Sequence, residues 1–542
     1  MKKRVVALIL SAVMTAAAVT ACGTAAAAVP AANETEEVTA AAEEATAAEE
    51  KAPAEETAAA DEETASAEEA AAEWEGGIDE INILLYDLYG VGEKSGDVVN
   101  KMNEITEQTI GVHANISWST LADYATTASL ALSSGEQLDV ISIIPIDPVS
   151  FTSMIANQQL MDITEYMEEE GAETLDQLQD YIASMSVGGQ IYGVPCFRSY
   201  ASGVYIVLRR DILEELGLTD TAVNMTKWSE YEDILKTVYE EKQGSNLAPL
   251  GSTSWRAGLL FPGDEFAVHE AYDTLNDSLN VVYSDKEGNV SFLLDNKDYR
   301  NEMERIRNYW NAGYVYKDAI TSDEHPDTLT KAGIVFSTVQ NGELGLETTK
   351  TEATGYEQLC VELGMKQIDS SQVNKFGLGV PVTAQEPEAA VRWINAIWTN
   401  PELENLLVWG IEGVDYVVED GEADFPEGLT SDTVNYHNAY FMYGNFFNAH
   451  PWKGQGKDFN ERSMEYLKSA EVSPYMGFTA DQSSLDNIMA GLSSVYQEYN
   501  KRLSFGAWTD DEWDEYYAKL KTAGVDEYLD SIQNQLNDFL GK

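Results

Sequence analysis

The chain has 542 residues and is strongly acidic, with 93 Asp and Glu against 33 Lys and Arg and a net charge of −60. Such an excess argues against nucleic acid or an anionic membrane surface as a partner, because no basic patch survives it. The charge otherwise indicates only a soluble surface. Beyond its N-terminal segments the chain keeps roughly 470 residues, which predicts at least two lobes.

The N-terminus has the layout of a secretory signal peptide. A positive start (Lys2, Lys3 and Arg4) precedes an apolar run over 5–19, which is short for a membrane span, and VTAC ends at Cys22. This tetrapeptide resembles the bacterial lipobox, in which the cysteine is lipidated and becomes the new N-terminus. We therefore expect residues 1–21 to be a lipoprotein signal peptide and Cys22 to anchor the protein at the outer face of the cell membrane. Cleavage at a nearby site and an uncleaved anchor are the alternatives.

The segment that follows Cys22 is almost wholly Ala, Glu and Thr. Residues 23–75 contain 16 acidic residues and one lysine, and they offer little apolar area to bury. Such a composition is typical of a solvated chain without a core. Residues 22–75 are therefore predicted to be a lipidated cysteine followed by a disordered tether.

The body opens with alternating strand and helix patterns. The apolar strand INILLYDLYG precedes a helical repeat that stops at Gly111, VHANISW alternates as a second strand, and a helix and a third strand follow. This order predicts an α/β lobe with a largely parallel sheet, in which ligands sit beyond the carboxyl ends of the strands. Those ends are Asp87–Tyr89, Trp118 and Ile144–Asp147.

This opening, with SSGEQLDVI after the second helix, resembles the family-1 extracellular solute-binding proteins, which capture sugars for ABC importers. GGQIYGVPCFRSYASGVYIVLRRDILEELGL is similar to the segment that carries such chains into a second lobe. The resemblance implies a two-lobed α/β fold of the type II periplasmic-binding-protein class. Each lobe is then a mixed β-sheet flanked by helices, with the ligand cleft between the lobes.

The pattern of strands also suggests where each lobe begins and ends. AGIVFSTVQNGELG is predicted to return to the first lobe and KFGLGVPVTAQ to cross back, so that three crossings form a hinge that permits closure. The predicted first lobe is 76–200 plus about 334–378. The predicted second lobe is about 204–333 plus 379–542, with a C-terminal helical extension.

One short stretch, LLVWGIEGVDYVV, raises the question of catalysis because Glu412 stands between two glycines. Gly410 is placed to end a helix, and Gly413 allows a positive φ at low steric cost. A catalytic carboxylate needs a second acid or a base and nucleophile at a fixed spacing, and no such arrangement is found. We interpret Glu412 as a structural corner whose carboxylate accepts hydrogen bonds from the turn, with ligand contact as the alternative.

The same stretch identifies a narrower resemblance. Gly410, Glu412, Gly413 and Tyr416 match the Gly-Ile-Glu-Gly-x-x-Tyr signature of a lipoprotein subgroup of this family. The C-terminal segment AEVSPYMGFTAD and the helices after it resemble that subgroup's domain of unknown function. The resemblance covers about residues 78–540.

Candidate ligand contacts follow from the strand ends, the first crossing and one polar loop. Aromatic rings stack on the apolar faces of a sugar, and planar polar groups bind its hydroxyls. Any single residue of this set is as readily core as ligand contact. The candidates are Tyr89, Trp118, Asp147, Arg198, Tyr200, Trp255, Arg256, Asn341 and Glu343.

Metal, cofactor and catalytic sites are not predicted. Cys196 and Cys360 are expected to be isolated buried thiols, although a disulfide between them stays open, and the DKEG turn lacks the ligand run of a calcium loop. We expect no enzyme activity and a monomer that binds a carbohydrate, an oligosaccharide above all, and delivers it to an ABC permease. The alternatives are a peptide or other small-solute receptor, or a surface-anchored polysaccharide hydrolase.

Overall fold

The computed structural model describes residues 74–88, 95–120, 122–253, 261, 263–266, 273–275, 277, 279–322, 324–431, 433–439, 441–482 and 484–542. The predicted signal peptide, Cys22 and nearly all of the predicted tether therefore lie outside the described residues. So do three predicted ligand contacts, Tyr89, Trp255 and Arg256.

The strands and helices of the described chain alternate through both lobes. The strands are β1 (Asp79–Asp87), β2 (Val112–Thr120), β3 (Val140–Ile143), β4 (Ser186–Val187), β5 (Gln190–Ile191), β6 (Val194–Pro195), β7 (Ser202–Arg209), β8 (Ala248–Thr253), β9 (Val282–Ser284), β10 (Val290–Phe292), β11 (Val335–Gly342), β12 (Gln358–Ile368), β13 (Gly377–Gly379), β14 (Val417–Glu419), β15 (Glu422–Asp424) and β16 (Glu471–Val472). The helices are α1 (Ser95–Thr109), α2 (Tyr124–Ser134), α3 (Phe151–Ala156), α4 (Thr164–Glu169), α5 (Ala172–Leu178), α6 (Arg210–Leu216), α7 (Thr219–Asn224), α8 (Trp228–Glu241), α9 (Lys297–Asn311), α10 (Pro326–Lys331), α11 (Leu346–Thr354), α12 (Ser370–Val373), α13 (Pro387–Thr399), α14 (Pro401–Trp409), α15 (Phe459–Lys468), α16 (Asp486–Ser504), α17 (Asp510–Ala523) and α18 (Val525–Phe539).

The first lobe is built on the sheet β2-β1-β3-β13-β6. β1 pairs in parallel with β2 and β3, so these three strands end at the same edge, while β13 runs antiparallel to β3. The fully buried carboxylate of Asp139, just before β3, accepts hydrogen bonds from the backbone N–H of Asn82 at 2.8 Å and of Gln385 at 2.9 Å. Because Gln385 lies just before α13, one buried acid fixes that helix to two strands.

The second lobe is built on the sheet β16-β12-β7-β11-β8. The central β7 runs antiparallel to both β11 and β12. Helix α8 covers one face, where the hydroxyls of Tyr231 and Ser337 are 2.7 Å apart and Ser337 donates to the backbone oxygen of Pro249 at 2.6 Å. Hydroxyl bonds thus fasten α8 to β11 and β8 inside an otherwise apolar core.

Helices α16, α17 and α18 form a third core with α9 and the hairpin β9–β10. The guanidinium of Arg300 lies 4.9 Å from the ring of Trp508 and 4.5 Å from the ring of Trp513, and it donates to Asp510 at 2.6 Å. Between β9 and β10 the Asp285 carboxylate accepts bonds from the backbone N–H groups at 287 and 289. The predicted turn at this position is confirmed.

The chain crosses between the two lobes three times. The first crossing joins β6 to β7, the second joins β12 to β13, and the third joins α15 to β16. The predicted lobe boundaries differ from this arrangement. β11 and β12, predicted for the first lobe within 334–378, belong to the second sheet, because they pair with β7 and β8. Helices α13, α14 and α15, predicted for the second lobe, pack in the first-lobe core.

The start of the described chain is fixed to the first lobe by Trp74. Its backbone N–H donates to the oxygen of Gln108 at 2.7 Å, and its indole N–H donates to the oxygen of Gly77 at 2.9 Å. The guanidinium of Arg392 lies 4.9 Å from the Trp74 ring and donates to Asp79 at 2.5 Å. Since Asp79 is the first residue of β1, these contacts place Trp74 at the edge where the parallel strands begin.

Candidate binding site between the lobes

The carboxyl edge of the first-lobe sheet is connected directly to the first crossing. The hydroxyl of Tyr443 donates to the backbone oxygen of Tyr86, near the end of β1. The next residue, Gly444, accepts the backbone N–H of Phe197 at 2.9 Å, and the N–H of Phe446 donates to the Phe197 oxygen at 2.9 Å. Residues 436–439 and 441–447 therefore lie between the strand ends and the point where the chain passes into the second lobe.

An aromatic wall of Trp118, Tyr436 and Tyr443 stands at this edge. The ring of Trp118, near the end of β2, meets Tyr436 at 6.0 Å and Tyr443 at 6.3 Å, both edge to face. Burial, followed by neighbouring charges that include Asp87, raises the pKa of both tyrosines, which keeps their phenols neutral. Trp118 itself is only partly buried, and its indole N–H has no hydrogen-bond partner among the described residues.

The wall is supported from behind by buried polar groups. The side-chain amide of Asn438 donates to the Tyr443 hydroxyl at 3.2 Å, and the Asn438 backbone N–H donates to the oxygen of Val408 at 2.7 Å. Glu404 is 0% exposed, and burial raises its pKa well above the usual range. A Cβ at residue 444 would come within 2.1 Å of a Glu404 oxygen, so only glycine fits in the turn after Tyr443.

Arg198 lies in the first crossing, beside the aromatic wall. Its guanidinium donates to the backbone oxygen of Gln372 in the second crossing at 2.8 Å and to that of Ser199 at 3.2 Å. It also lies 5.8 Å from the ring of Tyr200 and 6.0 Å from that of Phe376. Two crossings and two rings therefore hold this cation in one place.

Glu343 brings the second lobe to the same position. It follows β11, and its carboxylate lies 3.8 Å from the guanidinium of Arg198. The side chain is 43% exposed. Because protein atoms surround the carboxylate, desolvation nevertheless raises the pKa of Glu343, while the charges of Arg198 and Lys375 lower it. Solvent access combined with surrounding protein is what a carboxylate inside a cleft experiences. We call Trp118, Tyr436, Tyr443, Arg198 and Glu343 the interlobe site.

Three further predicted contacts lie outside the interlobe site. Asp147 accepts bonds from the hydroxyls of Ser150 at 2.6 Å and Ser153 at 2.5 Å at the start of α3, whose N-cap is Ser150. Tyr200 is 1% exposed and donates to the backbone oxygen of Cys196 at 2.8 Å, so it is core beneath Arg198. Asn341 lies on β11, and its buried Oδ1 has no partner among the described residues.

Tyr436 and Tyr443 are not among the contacts predicted from the sequence. Both are 1% exposed and lie in a stretch that is neither helix nor strand. The available signal was compositional, because NYHNAYFMYGNFF concentrates aromatic and amide side chains between two turn-rich segments. An irregular stretch this rich in aromatics needs a tertiary reason to stay ordered.

The Gly410–Tyr416 corner is organised by a different acid from the predicted one. Glu412 is exposed, whereas Asp415 is 2% exposed and accepts the backbone N–H of Ile411 at 2.9 Å. Gly410 and Gly413 have φ values of +91° and +78°. The prediction that the Glu412 carboxylate accepts the turn's amides is therefore wrong, since the Asp415 side chain takes that place.

Reactive and metal-binding groups are sparse in the described part of the chain. No cluster of three or more His, Cys, Asp or Glu side chains suited to a metal ion occurs there. Cys196 and Cys360 are both free, and Cys360 is only half-buried, which differs from the predicted pair of buried thiols. The helices of the described residues include none long and apolar enough to span a bilayer.

Comparison with known proteins identifies two family models and a relative that match this chain. Residues 101–401 match the family model of the bacterial extracellular solute-binding proteins, and residues 474–541 match a domain of unknown function, DUF3502. A carbohydrate ABC transporter substrate-binding protein of Streptococcus pneumoniae is 24% identical over 467 residues, covering 84% of this chain and 90% of the relative.

Two solved structures share the fold. The N-glycan transport solute-binding protein NgtS of S. pneumoniae is 20% identical with a TM-score of 0.71, covering 85% of this chain and 99% of its own. An HMO-binding, ABC-transporter-associated solute-binding protein of Bifidobacterium longum infantis is 14% identical with a TM-score of 0.61, covering 86% and 99%. The family model matches more than half of this chain, so the chain belongs to the bacterial extracellular solute-binding proteins.

Proposed function

We propose that the protein captures a carbohydrate at the outer face of the cell membrane and delivers it to an ABC permease. Family membership supports a receptor rather than a catalyst. The names of two similar proteins refer to carbohydrate and N-glycan transport, and we transfer that class of ligand to this chain. The site itself offers no acid pair or nucleophile arranged for hydrolysis among the described residues.

The observation that carries the proposal is the aromatic wall beside the held Arg198–Glu343 pair. A sugar presents apolar C–H faces and a rim of hydroxyls, so it needs a ring for stacking and fixed polar groups for its oxygens. Trp118 supplies the first, with a partly exposed ring and an indole N–H that has no partner in the described structure. Arg198 in the first crossing and Glu343 at the end of β11 supply the second.

The decisive experiment is a thermal-shift screen of sugars, oligosaccharides and peptides, followed by calorimetry. A ligand that binds only the folded protein raises its melting temperature. With the sugar so identified, Trp118→Ala is expected to weaken binding by about 1–3 kcal/mol while the fold persists. Tyr239→Ala is the matched control, because Tyr239 is an exposed ring, 40% accessible, on α8 of the second lobe.

The outcomes of this screen distinguish the class of ligand and the place where it binds. Binding of peptides but no sugar would assign a peptide receptor, and product from a polysaccharide would assign a hydrolase. If Trp118→Ala binds the sugar as tightly as the parent does, the ligand binds outside the interlobe site.

The proposal includes the anchor and the assembly state. A lipidated Cys22 followed by a tether would hold a monomeric receptor near its permease, and two or three acyl chains are enough for stable attachment. The support is the sequence alone, because these residues lie outside the described part of the chain.

A further inference from the structure

Glu404 of α14 is a buried acid to which the proposed function assigns no role. It is 0% exposed, and neither of its carboxyl oxygens has a hydrogen-bond partner among the described residues. An ionised carboxylate in such a place would be an uncompensated buried charge, which a protein avoids by keeping the acid protonated. Burial raises the pKa of Glu404 well above the usual range, and the backbone N–H of Asn445, which lowers it, has the smaller effect.

The end of α13 offers an acceptor for the proton of such an acid. The carbonyl of Ile397 lacks its usual helical donor, because the residue four positions later is Pro401, which has no N–H. A Cβ at residue 444 would overlap a carboxyl oxygen of Glu404 and would lie 3.0 Å from the Ile397 oxygen. The two oxygens therefore border the same point of the chain, and they attract each other only if one of them carries a proton.

The turn at residue 444 connects this acid to the interlobe site. It follows Tyr443 of the aromatic wall, and the Gly444 oxygen accepts the backbone N–H of Phe197 at 2.9 Å. The Cys196 thiol donates to the Tyr443 backbone oxygen at 2.8 Å. A displacement of this turn therefore moves both the aromatic wall and the first crossing, which carries Arg198.

The ionisable groups that face Glu404 also favour its neutral form. Burial, and then the charge of Glu404, raises the pKa of the Cys196 thiol in the first crossing. Burial raises the pKa of Tyr436 in the aromatic wall, with smaller contributions from several acids that include Glu404. Helices α1 and α13 also pack on α14, and within the described chain no charged group of either helix acts on the pKa of Glu404.

We propose that Glu404 is a positioning residue that carries a proton at neutral pH and donates it in a hydrogen bond to the Ile397 carbonyl. This bond holds the turn at residue 444, and with it the aromatic wall, in the arrangement that binds ligand. The protonation state is independent of the proposed function, whereas the effect on ligand binding rests on it.

The protonation state is tested without ligand. Urea unfolding of the full chain is compared for the parent and Glu404→Gln at pH 5.5, 6.5 and 7.5. The unfolded acid, with a pKa of about 4.3, is ionised over this range and the folded acid is not, so unfolding of the parent releases a proton. The stabilising effect of the protonated acid is complete below the unfolded pKa and is lost as the pH rises towards the folded one. The unfolding equilibrium constant of the parent should therefore rise about tenfold per pH unit relative to that of the variant.

A matched control and a second variant accompany this measurement. Glu402→Gln removes an exposed acid from the same helix and should keep the pH slope of the parent. Glu404→Met, also uncharged and of similar length, gives the same comparison if Glu404→Gln fails to fold. Equal pH slopes for the parent and a folded, uncharged variant of Glu404 would overturn the inference.

Ligand binding tests the hydrogen bond. Calorimetry at pH 6.5 measures mannotriose, cellotriose and maltotriose with the parent and both Glu404 variants. Glu404→Gln keeps a donor for the Ile397 carbonyl and should bind within about 3-fold of the parent, whereas Glu404→Met has none and should bind about 10-fold more weakly. Parent-like affinity of Glu404→Met, or an equal loss in both variants, would overturn the positioning role. If no saccharide binds the parent, the proposed function fails and the positioning role falls with it, while the unfolding data still decide the protonation state.

Discussion

Asp273 lies where the β9–β10 hairpin meets the second and third crossings. Its carboxylate accepts the backbone N–H of Leu275 at 2.6 Å and the hydroxyl of Ser473. Burial, followed by the charge of Asp369, raises the pKa of Asp273 to about 6. Other charged groups lining the same small cavity are Asp285, Lys286 and Glu471.

This raised pKa predicts a particular pH dependence of stability. A carboxyl with a higher pKa in the folded state binds more protons folded than unfolded, so its stabilising contribution is complete below about pH 4 and is lost as the pH rises through about 6. Asp273→Asn removes this loss. As the pH rises from 4 to 7, the free energy of unfolding of the parent should therefore fall by about 2–3 kcal/mol relative to that of the variant.

Urea unfolding of both proteins at four pH values measures the difference. Parallel curves for parent and variant across this range would contradict the raised pKa. Glu471→Gln serves as the comparison, because it removes a charge from the same cavity at a side chain that is 36% exposed.

Helix α15 is joined to the second sheet by a hydroxyl network close to the three crossings. The hydroxyls of Tyr466 and Tyr205 are 2.6 Å apart, and the Tyr466 hydroxyl donates to Glu362 at 2.7 Å. The ammonium of Lys366 lies 4.5 Å from the Tyr466 ring. The partners come from α15, β7 and β12, so the network ties a first-lobe helix to two second-lobe strands.

Removing one hydroxyl should therefore cost more here than at the surface. Tyr466→Phe is expected to lower the free energy of unfolding by about 1–2 kcal/mol, because Glu362 and the Tyr205 hydroxyl lose a buried partner. Tyr517→Phe, whose hydroxyl bonds the exposed Asp295, should cost less than about 0.5 kcal/mol. A double-mutant cycle with Tyr205→Phe should give a coupling near 1 kcal/mol, and additive losses would refute the network.

Periodicity was enough to predict the first five elements of the first lobe, from β1 to β3. The alternation in VHANISW corresponds to β2, and the apolar repeat ending at Gly111 corresponds to α1. The lobe to which β11 belongs was predicted wrongly, because a strand buried throughout its first six residues carries no mark of which neighbours it pairs with. Its partners β7 and β8 are settled by contacts between residues far apart in the chain.

The site was predictable only where it coincides with strand ends and crossings. Trp118 and Glu343 follow from that rule, and Arg198 follows from its place in the first crossing. Tyr436 and Tyr443 do not, because their stretch has neither helical nor strand periodicity. Their positions depend on tertiary bonds such as that of Asn438 to Val408 and Tyr443 to Tyr86.

Membrane attachment and ligand binding should be separable properties of the protein. Cys22→Ala is expected to move the protein from the membrane fraction to the medium, or to leave an unprocessed precursor, while the purified body binds sugar as the parent does. Fractionation and calorimetry measure the two properties. Normal maturation with unchanged membrane retention would refute lipidation at Cys22, and lost affinity would mean that the N-terminal segment contributes to the site.

The position of Trp74 determines which way the receptor can face. Trp74 is held where β1 begins, whereas the interlobe site lies where β1 ends, nine residues or about 30 Å further on. A membrane attachment directly before Trp74 would therefore turn the binding edge outward, away from any permease in the same bilayer. Roughly 50 residues separate Cys22 from Trp74, a contour of at most about 180 Å. If the anchor is Cys22, as proposed, that length is enough for the body to turn over and bring its binding edge to the membrane surface.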